Sequence, residues 1–403
     1  MMKRTIINMI RWFVPDELWR KKKRQFLMSQ VKPIQIIEHP ENAFEKVYHI
    51  KDATWETNQV AEIYNIAKQT TNILHHQAQD ILRVKDARVI MSSDIVLTQN
   101  GALWDKYYSY NFDKSIIPWD ADYLNHSGNL LQVYRSTKQT QYIKGECLSL
   151  LGVFVQVWAH FMMQFICKLY YAEEAGLLDH NTTLLVPNNM DANMKEIVEG
   201  VMSRYPNLKC VVAQDGTEYV CENLYYIQTT SVFHNQCVNF NHGQIVIPQR
   251  VVNAIQTHIV SQYLNNVKDN PKYEKIFLIR RNTSRSLENN DEVEEYFRKE
   301  GFFFMEGAEY SLKEKAEIFH SAKIIVGPQG TAFTNTIFCN EAKCLIFVNA
   351  AHVMENSLFT LSYPHVKRCI HITGADTSQH YQSTVYIPLD KIKNAYKEIL
   401  EDE

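Results

Sequence analysis

The chain has 403 residues, of which 45% are hydrophobic and 22% charged, and its formal net charge is −3. This is the composition of a globular protein, which excludes fibrous and disordered classes, and the length fits two domains better than one core. The nearly balanced charge gives no general attraction to nucleic acid. The eight cysteines form no Cys-x-x-Cys motif, so a zinc site is not expected and a reducing compartment fits.

Residues 1–30 are predicted to form a basic, amphipathic N-terminal segment. Residues 1–24 hold eight basic and two acidic side chains, a local charge of +6. Such a segment is attracted to an anionic membrane surface, although a solvated basic helix has the same pattern. No run reaches the ~18 apolar residues of a membrane-spanning helix, and no signal-peptide cleavage site follows. We therefore expect a cytoplasmic protein, with peripheral contact to the inner face of the membrane as one of the two interpretations.

The predicted elements of residues 31–245 mix strands and helices. Two short strands at 86–101 are closed by the turn Gln99-Asn100-Gly101. The apolar stretch 152–176 predicts a buried helix that ends near Gly176. Strands are predicted at 183–187, 209–213 and 223–228, with a helix at 192–204. His75 and His76 are assigned to a helical stretch with no matching ligands, so no metal site is expected there. The polar stretch that follows Val232 places a domain boundary near residue 245.

Residues 246–403 repeat a strand–helix rhythm. Helices are predicted at 249–266, 289–300, 311–321, 332–339 and 389–402, and strands at 275–280, 301–306, 323–327 and 344–349. Strand–helix units joined by short loops imply a parallel, doubly wound sheet. The sequence thus predicts an α/β protein with a second domain that starts near residue 246.

The segment 323–340 has the pattern of an anion-binding turn. An apolar strand ends at Gly327, Gly330 permits a sharp turn, and a helix begins near Thr331. The first backbone N–H groups and the positive end of the helix dipole then point outside the carboxyl end of the strand, where open α/β sheets bind ligands. Asn335 is placed to fix the loop or contact the ligand. A plain β–α turn with glycines for geometry is the alternative interpretation.

Three arginines follow the preceding buried strand. Arg280, Arg281 and Arg285 lie just beyond the strand at 275–280. Arginine is always charged and binds phosphate with two parallel hydrogen bonds. Guanidinium groups at this edge would stabilise the charge that develops when a nucleoside diphosphate leaves. A solvated charged loop is the alternative interpretation.

Together, these two segments and their spacing resemble glycosyltransferase family 61. The resemblance is carried by Arg280-Arg281, Arg285-Ser286-Leu287-Glu288-Asn289, Gly301-Phe302 and the loop from Gly327 to Asn335. Upstream, the hairpin at 86–101, Trp158-Ala159-His160-Phe161 and the segment 175–189 follow in the order of the family. The resemblance covers roughly residues 85–350 and is most specific in its C-terminal part.

The resemblance implies two Rossmann-like domains that face each other across a cleft, the GT-B type. The domain at 31–245 would hold the acceptor and the domain at 246–403 the nucleotide sugar. It also implies an inverting transfer that needs no D-x-D metal site and no cofactor. The similarity is to the bacterial branch, which implies a glycan or lipid-linked acceptor in the synthesis of capsule, lipopolysaccharide or another surface polysaccharide.

The resemblance also assigns roles to residues. The donor site would contain Arg280, Arg281, Arg285, Asn289, Gly327, Gln329, Gly330, Thr331 and Asn335. Trp158 and Gln164 would lie on the acceptor side, and His160 would be the general base, because a histidine titrates near neutral pH. The chain departs from the family at three positions. Gln329 replaces a frequent histidine, Gln164 a frequent acid, and Ser286 the second arginine of the family's arginine pair.

Two further functions are consistent with the sequence. Because glutamine cannot accept a proton at neutral pH, Gln164 and Gln329 favour a catalytically silent, nucleotide-binding partner in a polysaccharide assembly complex. Asp120-Ala121-Asp122 follows two isoleucines, and a strand that ends in D-x-D holds Mn²⁺ or Mg²⁺ in metal-dependent sugar transferases. Insensitivity to EDTA would exclude the metal-dependent transferase.

Overall fold

A computed structural model describes residues 25–105, 120–229, 231, 247–281, 285–348, 357–374 and 384–401. The predictions for the basic segment 1–24 and for a boundary at residue 245 lie outside these ranges. Within them, none of the helices has the length and apolar character needed to cross a membrane.

The N-terminal half is dominated by strands. Its elements are β1 (Ile34–Gln35), α1 (Pro40–Ala43), β2 (Glu45–Lys51), β3 (Thr54–Val60), β4 (Glu62–Ile63), β5 (Thr70–His76), β6 (Gln79–Ile90), β7 (Ile95–Thr98), β8 (Gly101–Trp104), β9 (Tyr123–Ser127), β10 (Leu130–Val133), β11 (Gln139–Ser149), α2 (Trp158–His160, Phe161–Phe165 and Ile166–Glu174), β12 (Thr183–Pro187), α3 (Ala192–Met202), β13 (Lys209–Ala213) and β14 (Thr217–Ile227). The middle piece of α2 is a π-helix. The first large sheet has the order β13-β12-β11-β14-β6-β7-β8, with β2 also paired to β6. Strands β11 to β14 are parallel to one another, whereas β6 runs antiparallel to β14.

The C-terminal half carries a wholly parallel sheet. Its elements are α4 (Gln249–Ile255, Gln256–Val260 and Ser261–Tyr263), β15 (Lys275–Leu278), α5 (Asn290–Lys299), β16 (Phe303–Met305), α6 (Leu312–Ser321), β17 (Ile324–Pro328), a 3₁₀ helix (Thr331–Phe338), β18 (Ala342–Val348), α7 (Ser357–Ser362), β19 (Val366–Thr373) and α8 (Leu389–Glu401). The strand order is β16-β15-β17-β18-β19-β4, and every pair is parallel. The N-terminal half thus contributes the edge strand β4 to the second sheet.

The apolar core explains how the two sheets are held together. The largest cluster contains residues of α2, α4, α6 and the 3₁₀ helix, together with strands of both sheets. A second cluster covers the other face of the parallel sheet beneath α5 and α8, and a third covers the other face of the first sheet. Because this cluster is continuous, strands of both sheets share one core.

Several predicted elements are confirmed and others need correction. The helix expected from residue 152 begins at Trp158, because the backbone N–H of Val153 is bonded to Asp94 (2.9 Å) and Phe154 has a left-handed φ of 65°. Its end is confirmed, with Gly176 at φ 67°. The predicted Gln99–Gly101 turn is confirmed and joins β7 to β8. His75 lies in strand β5 and not in a helix.

Candidate active site

An open cleft of about 340 Å³ lies where the parallel strands of both sheets end. Strands β15 and β17 are neighbours in the sheet although β16 lies between them in the chain, so the strand order reverses there. Ligands of open α/β sheets bind outside the carboxyl ends at such a switch point. The cleft is lined there by residues that follow β15 and β17, and across from them by Trp158 and Asp191, which follow β11 and β12.

Arg280 lies against the glycine turn, as the sequence predicts. Gly330 has φ −177° and ψ 172°, an extended conformation that any residue adopts, so backbone geometry does not require a glycine. The side chain of Arg280 occupies the space beside it, because a Cβ built on Gly330 would overlap its Nη1 atom and displace the guanidinium group. Both residues line the cleft with Thr331 at the start of the 3₁₀ helix. A guanidinium group and a helix N-terminus therefore converge on the same space.

Gly327 has a different reason to be a glycine. A Cβ at this position would lie 2.7 Å from the carbonyl oxygen of Leu278 and 3.3 Å from its Cα. Strands β15 and β17 approach each other closely here, which sets the position of the turn that follows. Gly327 thus shapes the site through the sheet and does not line the cleft.

Asn335 and Trp158 join the two halves across the cleft. The side-chain amide of Asn335 donates to the carbonyl of Ala332 (2.9 Å), which turns its Oδ1 toward the indole N–H of Trp158 at 3.1 Å. Asn335 is buried, whereas Trp158 is half-buried with its ring at the cleft. The sequence placed these residues on the donor and acceptor sides, and the structure connects them directly.

Arg281 lines the cleft, but its charge is already paired. Its Nε donates to Oε1 of Glu294 at 2.9 Å, and its Nη2 donates to the second carboxylate oxygen. Asn290 and Arg298 donate to the same carboxylate. Burial works to raise the pKa of Glu294, but these hydrogen bonds outweigh it and lower the pKa. Arg281 therefore anchors helix α5. Because its guanidinium group is already paired with Glu294, the structure does not support the prediction that Arg281 binds phosphate.

Three other predicted donor residues do not line the cleft. Asn289 stands at the N-terminus of α5 and donates to the carbonyl of Ile387 at 2.9 Å. Gln329 is only 2% exposed, and its backbone N–H donates to Phe347 at 2.9 Å. Arg285 has a left-handed φ of 64°. Asn289 and Gln329 therefore stabilise the turns beside the cleft.

His160 lies two residues from Trp158 but is not among the residues that line the cleft. Its Nδ1 is 2.7 Å from Oε1 of Gln164, whose amide nitrogen donates to the carbonyl of Ser231 at 3.0 Å. An acceptor oxygen at Nδ1 fixes the tautomer in which Nδ1 carries the proton, so the lone pair of the neutral ring is on Nε2. Gln164 thus takes over the orienting contact that an acid makes in such a pair.

The cleft also contains charged residues that sequence reasoning missed, namely Asp191, Glu306 and Lys315. Asp191 caps helix α3 by accepting from the backbone N–H of Met194 (2.9 Å). Lys315 lies on α6 between the buried residues Leu312 and Phe319 and is only 6% exposed. The sequence feature that could have identified Lys315 is a lysine on the apolar face of a predicted helix. Burial lowers the pKa of Lys315, and the carboxylate of Asp191 opposes that shift.

The D-x-D motif is part of the first half's structural core. Asp120 accepts the backbone N–H of Asp94 (2.9 Å), and Asp122 forms an ion pair with Arg135 at 2.6 Å. Arg135 also binds Glu218 at 3.1 Å. Both aspartates are at most 3% exposed, and neither lines the cleft. In the ranges that the structure covers, no group of three or more His, Cys, Asp or Glu side chains is arranged to hold a metal ion.

The chain was also compared with known protein families and with curated proteins. Residues 158–346 match the family model of Glycosyltransferase 61, a little under half of the 403 residues. The match includes the first residue of α2, the cleft and the glycine turn, and it supports a glycosyltransferase. The search of curated proteins gave no match.

Proposed function

We propose that this protein is an inverting, metal-independent glycosyltransferase that moves a sugar from a nucleotide-sugar donor to a glycan or lipid-linked acceptor. The observation that carries the proposal is the convergence of Arg280 and the N-terminus of the 3₁₀ helix at the switch point between β15 and β17. These groups are suited to a diphosphate, since a guanidinium and unpaired helix N–H groups both bind phosphate oxygens. The family match supports the sugar-transfer chemistry.

The proposed arrangement is two Rossmann-like halves of the GT-B type. Its support is that each half has parallel strands whose carboxyl ends reach the same cleft, with Trp158 and Asp191 on one wall and Arg280 and Gly330 on the other. We assign the donor to the C-terminal wall, which carries the cationic turn. The acceptor then approaches from the wall formed by Trp158 and Asp191.

In the reaction, an acceptor hydroxyl oxygen forms a bond to the anomeric carbon while the bond from that carbon to the phosphate oxygen breaks. The electron pair leaves with the nucleoside diphosphate, and the hydroxyl proton passes to a base. Arg280 and the 3₁₀ helix N-terminus stabilise the charge that develops on the leaving phosphate. Because the protein itself supplies this positive charge, the proposed mechanism does not use a metal ion bound by the buried Asp120 and Asp122.

Two residues are candidates for the base. His160 has its lone pair on Nε2, because Gln164 holds Nδ1–H. Asp191 lines the cleft and stands on the acceptor wall, where a carboxylate within hydrogen-bond reach of the acceptor hydroxyl would take its proton. We retain His160 as the predicted base and add Asp191 as the competing assignment.

The biological setting is proposed from the sequence. The basic segment 1–24 and the bacterial character of the resemblance favour surface polysaccharide synthesis, such as capsule or lipopolysaccharide, on the cytoplasmic face of the membrane. A lipid-linked acceptor is the partner that best suits such a location.

The test is a screen of UDP-, GDP-, CMP- and dTDP-sugars by thermal shift, followed by donor hydrolysis measured with and without acceptor extracts. A donor at 100 times its Kd should raise the unfolding free energy by about 2.7 kcal/mol. We expect one donor to stabilise wild type and to lose this effect in Arg280→Ala, with slow hydrolysis retained in wild type and unaffected by EDTA. Binding without hydrolysis or transfer would instead indicate the catalytically silent partner.

A further inference from the structure

Lys315 is a largely buried residue whose ammonium group has no ion-pair partner among the described residues and lies over the Trp158 ring. The residue is 6% exposed, and its Nζ lies 5.7 Å from the centre of the Trp158 ring. In the part of the chain that the structure describes, Nζ takes part in no hydrogen bond or ion pair. Asp191 acts on it only through a longer-range attraction. The ammonium group is therefore directed into the cleft and not satisfied by the fold.

An unpaired, buried lysine is costly for the folded protein. Removing an ammonium group from water is unfavourable unless hydrogen bonds or an opposite charge replace its hydration. The neighbouring positions of α6, Leu312 and Ala316, are apolar and fully buried, and a methionine would fit the same face. The presence of lysine is explained if a ligand supplies the missing anion.

The position of Lys315 indicates which part of the ligand it meets. It lies in the first turn of α6, at the carboxyl edge of the parallel sheet, and lines the cleft with Arg280 and Thr331. It also contacts Trp158, which belongs to the acceptor wall. Arg280 lies at the glycine turn, whereas Lys315 lies closer to the wall from which the acceptor approaches.

We propose that Lys315 binds the distal, sugar-bearing phosphate of the donor diphosphate. This inference rests on the proposed function and adds a second cation beside Arg280, where the sequence predicts Arg281 and Arg285. Arg281 is less suited to this role because its guanidinium group already forms a two-pronged ion pair with Glu294. Lys315 thus stabilises the phosphate that carries the negative charge when the sugar is transferred.

The experiment is calorimetric titration of wild type, Lys315→Met, Arg280→Ala and the control Lys313→Met with UDP, GDP, CDP and dTDP and with the matching monophosphates. Lys313 lies on the same helix and is exposed, so its replacement controls for the loss of one charge. We expect Lys315→Met to weaken diphosphate binding about ten- to hundredfold, as loss of a charged hydrogen bond does. Monophosphate binding and the Lys313→Met variant should change by less than about threefold.

Thermal unfolding without nucleotide provides the second readout. A ligand-binding lysine destabilises the empty site, so Lys315→Met should unfold at the same or a higher temperature than wild type. Unchanged diphosphate affinity in Lys315→Met, or an equal weakening of monophosphate and diphosphate binding, would overturn the inference. If Arg280→Ala loses binding and Lys315→Met does not, the inference alone fails; if wild type binds none of the diphosphates, the proposed function fails with it.

Discussion

Replacing Gly330 by alanine tests the donor site without disturbing the fold. The backbone of Gly330 is extended, so alanine adopts it without strain. The added Cβ would overlap only the end of the Arg280 side chain, with the next atoms at 3.5 Å (Arg280 Cζ) and 3.8 Å (Pro328 O). A flexible side chain can move, so we expect the unfolding free energy to change by less than about 0.5 kcal/mol.

Nucleotide binding should respond much more strongly to this substitution. Displacing Arg280 costs the charge-assisted hydrogen bonds to phosphate, which contribute about 1.5–3 kcal/mol. This corresponds to roughly a ten- to hundredfold weaker donor affinity, since each 1.4 kcal/mol is about tenfold. Calorimetric titration with the donor identified in the screen measures the effect, and denaturant unfolding measures stability.

Gly327→Ala is the matched control. Its Cβ would meet backbone atoms of Leu278 at 2.7 and 3.3 Å, which cannot move without separating β15 from β17. We expect this variant to lose about 1–3 kcal/mol of unfolding free energy, as overpacking does. If Gly330→Ala binds donor like wild type, or destabilises the fold as much as Gly327→Ala does, Arg280 does not bind the donor in the way proposed.

Substitutions of Arg281, of the two candidate bases and of Lys315 test the other roles assigned in the cleft. Arg281→Ala should leave donor affinity unchanged but lower the unfolding free energy by about 1 kcal/mol at neutral pH. Because the pKa of Glu294 is lowered on folding, this loss of stability should shrink as the pH falls through that pKa. A weaker donor affinity in Arg281→Ala would contradict the structural role of Arg281. Of His160→Gln and Asp191→Asn, the variant that removes the base should slow transfer about 10²- to 10⁴-fold with donor affinity retained, and two fully active variants would exclude both residues. The stabilisation expected of Lys315→Met should diminish as the pH rises toward about 10, because the pKa of Lys315 is lowered on folding and the folded wild type loses the proton first. In the cleft, Lys315 also faces the charges of two carboxylates and two arginines (Asp191, Glu306, Arg280 and Arg281). The unfolding free energies of the variant and of wild type are compared from pH 7 upward, and a difference that does not depend on pH would contradict the prediction.

Most of the C-terminal elements were predictable because their patterns are local, although α7 and β19 were not predicted. Apolar strands such as β15 and β17 alternate with amphipathic helices, and every predicted strand of this half is present within a few residues. The pairing of Gly330 with Arg280 also follows, since both come directly after neighbouring strands. The N-terminal half was predicted less well, because strands β2, β3 and β5 are partly exposed and β4 pairs with β19 from the other end of the chain.

The site was predicted in part for a similar reason. Sequence order shows which residues follow a strand but not where their side chains point, so Arg280 and Arg281 had equal weight. Only the fold shows that Glu294, one turn into α5, neutralises Arg281. Lys315 was missed because its pattern is that of a buried helix face, and its exposure to the cleft depends on Trp158 from the other half of the chain.

Photoaffinity labelling tests whether the cleft beside Gly330 holds the donor diphosphate. An azido analogue of the nucleoside diphosphate that stabilises the protein most would be crosslinked, and the labelled peptides mapped by mass spectrometry. We expect label on the peptides that contain Leu278–Arg281 and Pro328–Asn335, with competition by unmodified nucleotide and loss of label in Arg280→Ala. Competable label confined to the first half's antiparallel strands β6 to β8, with neither cleft peptide modified, would contradict it.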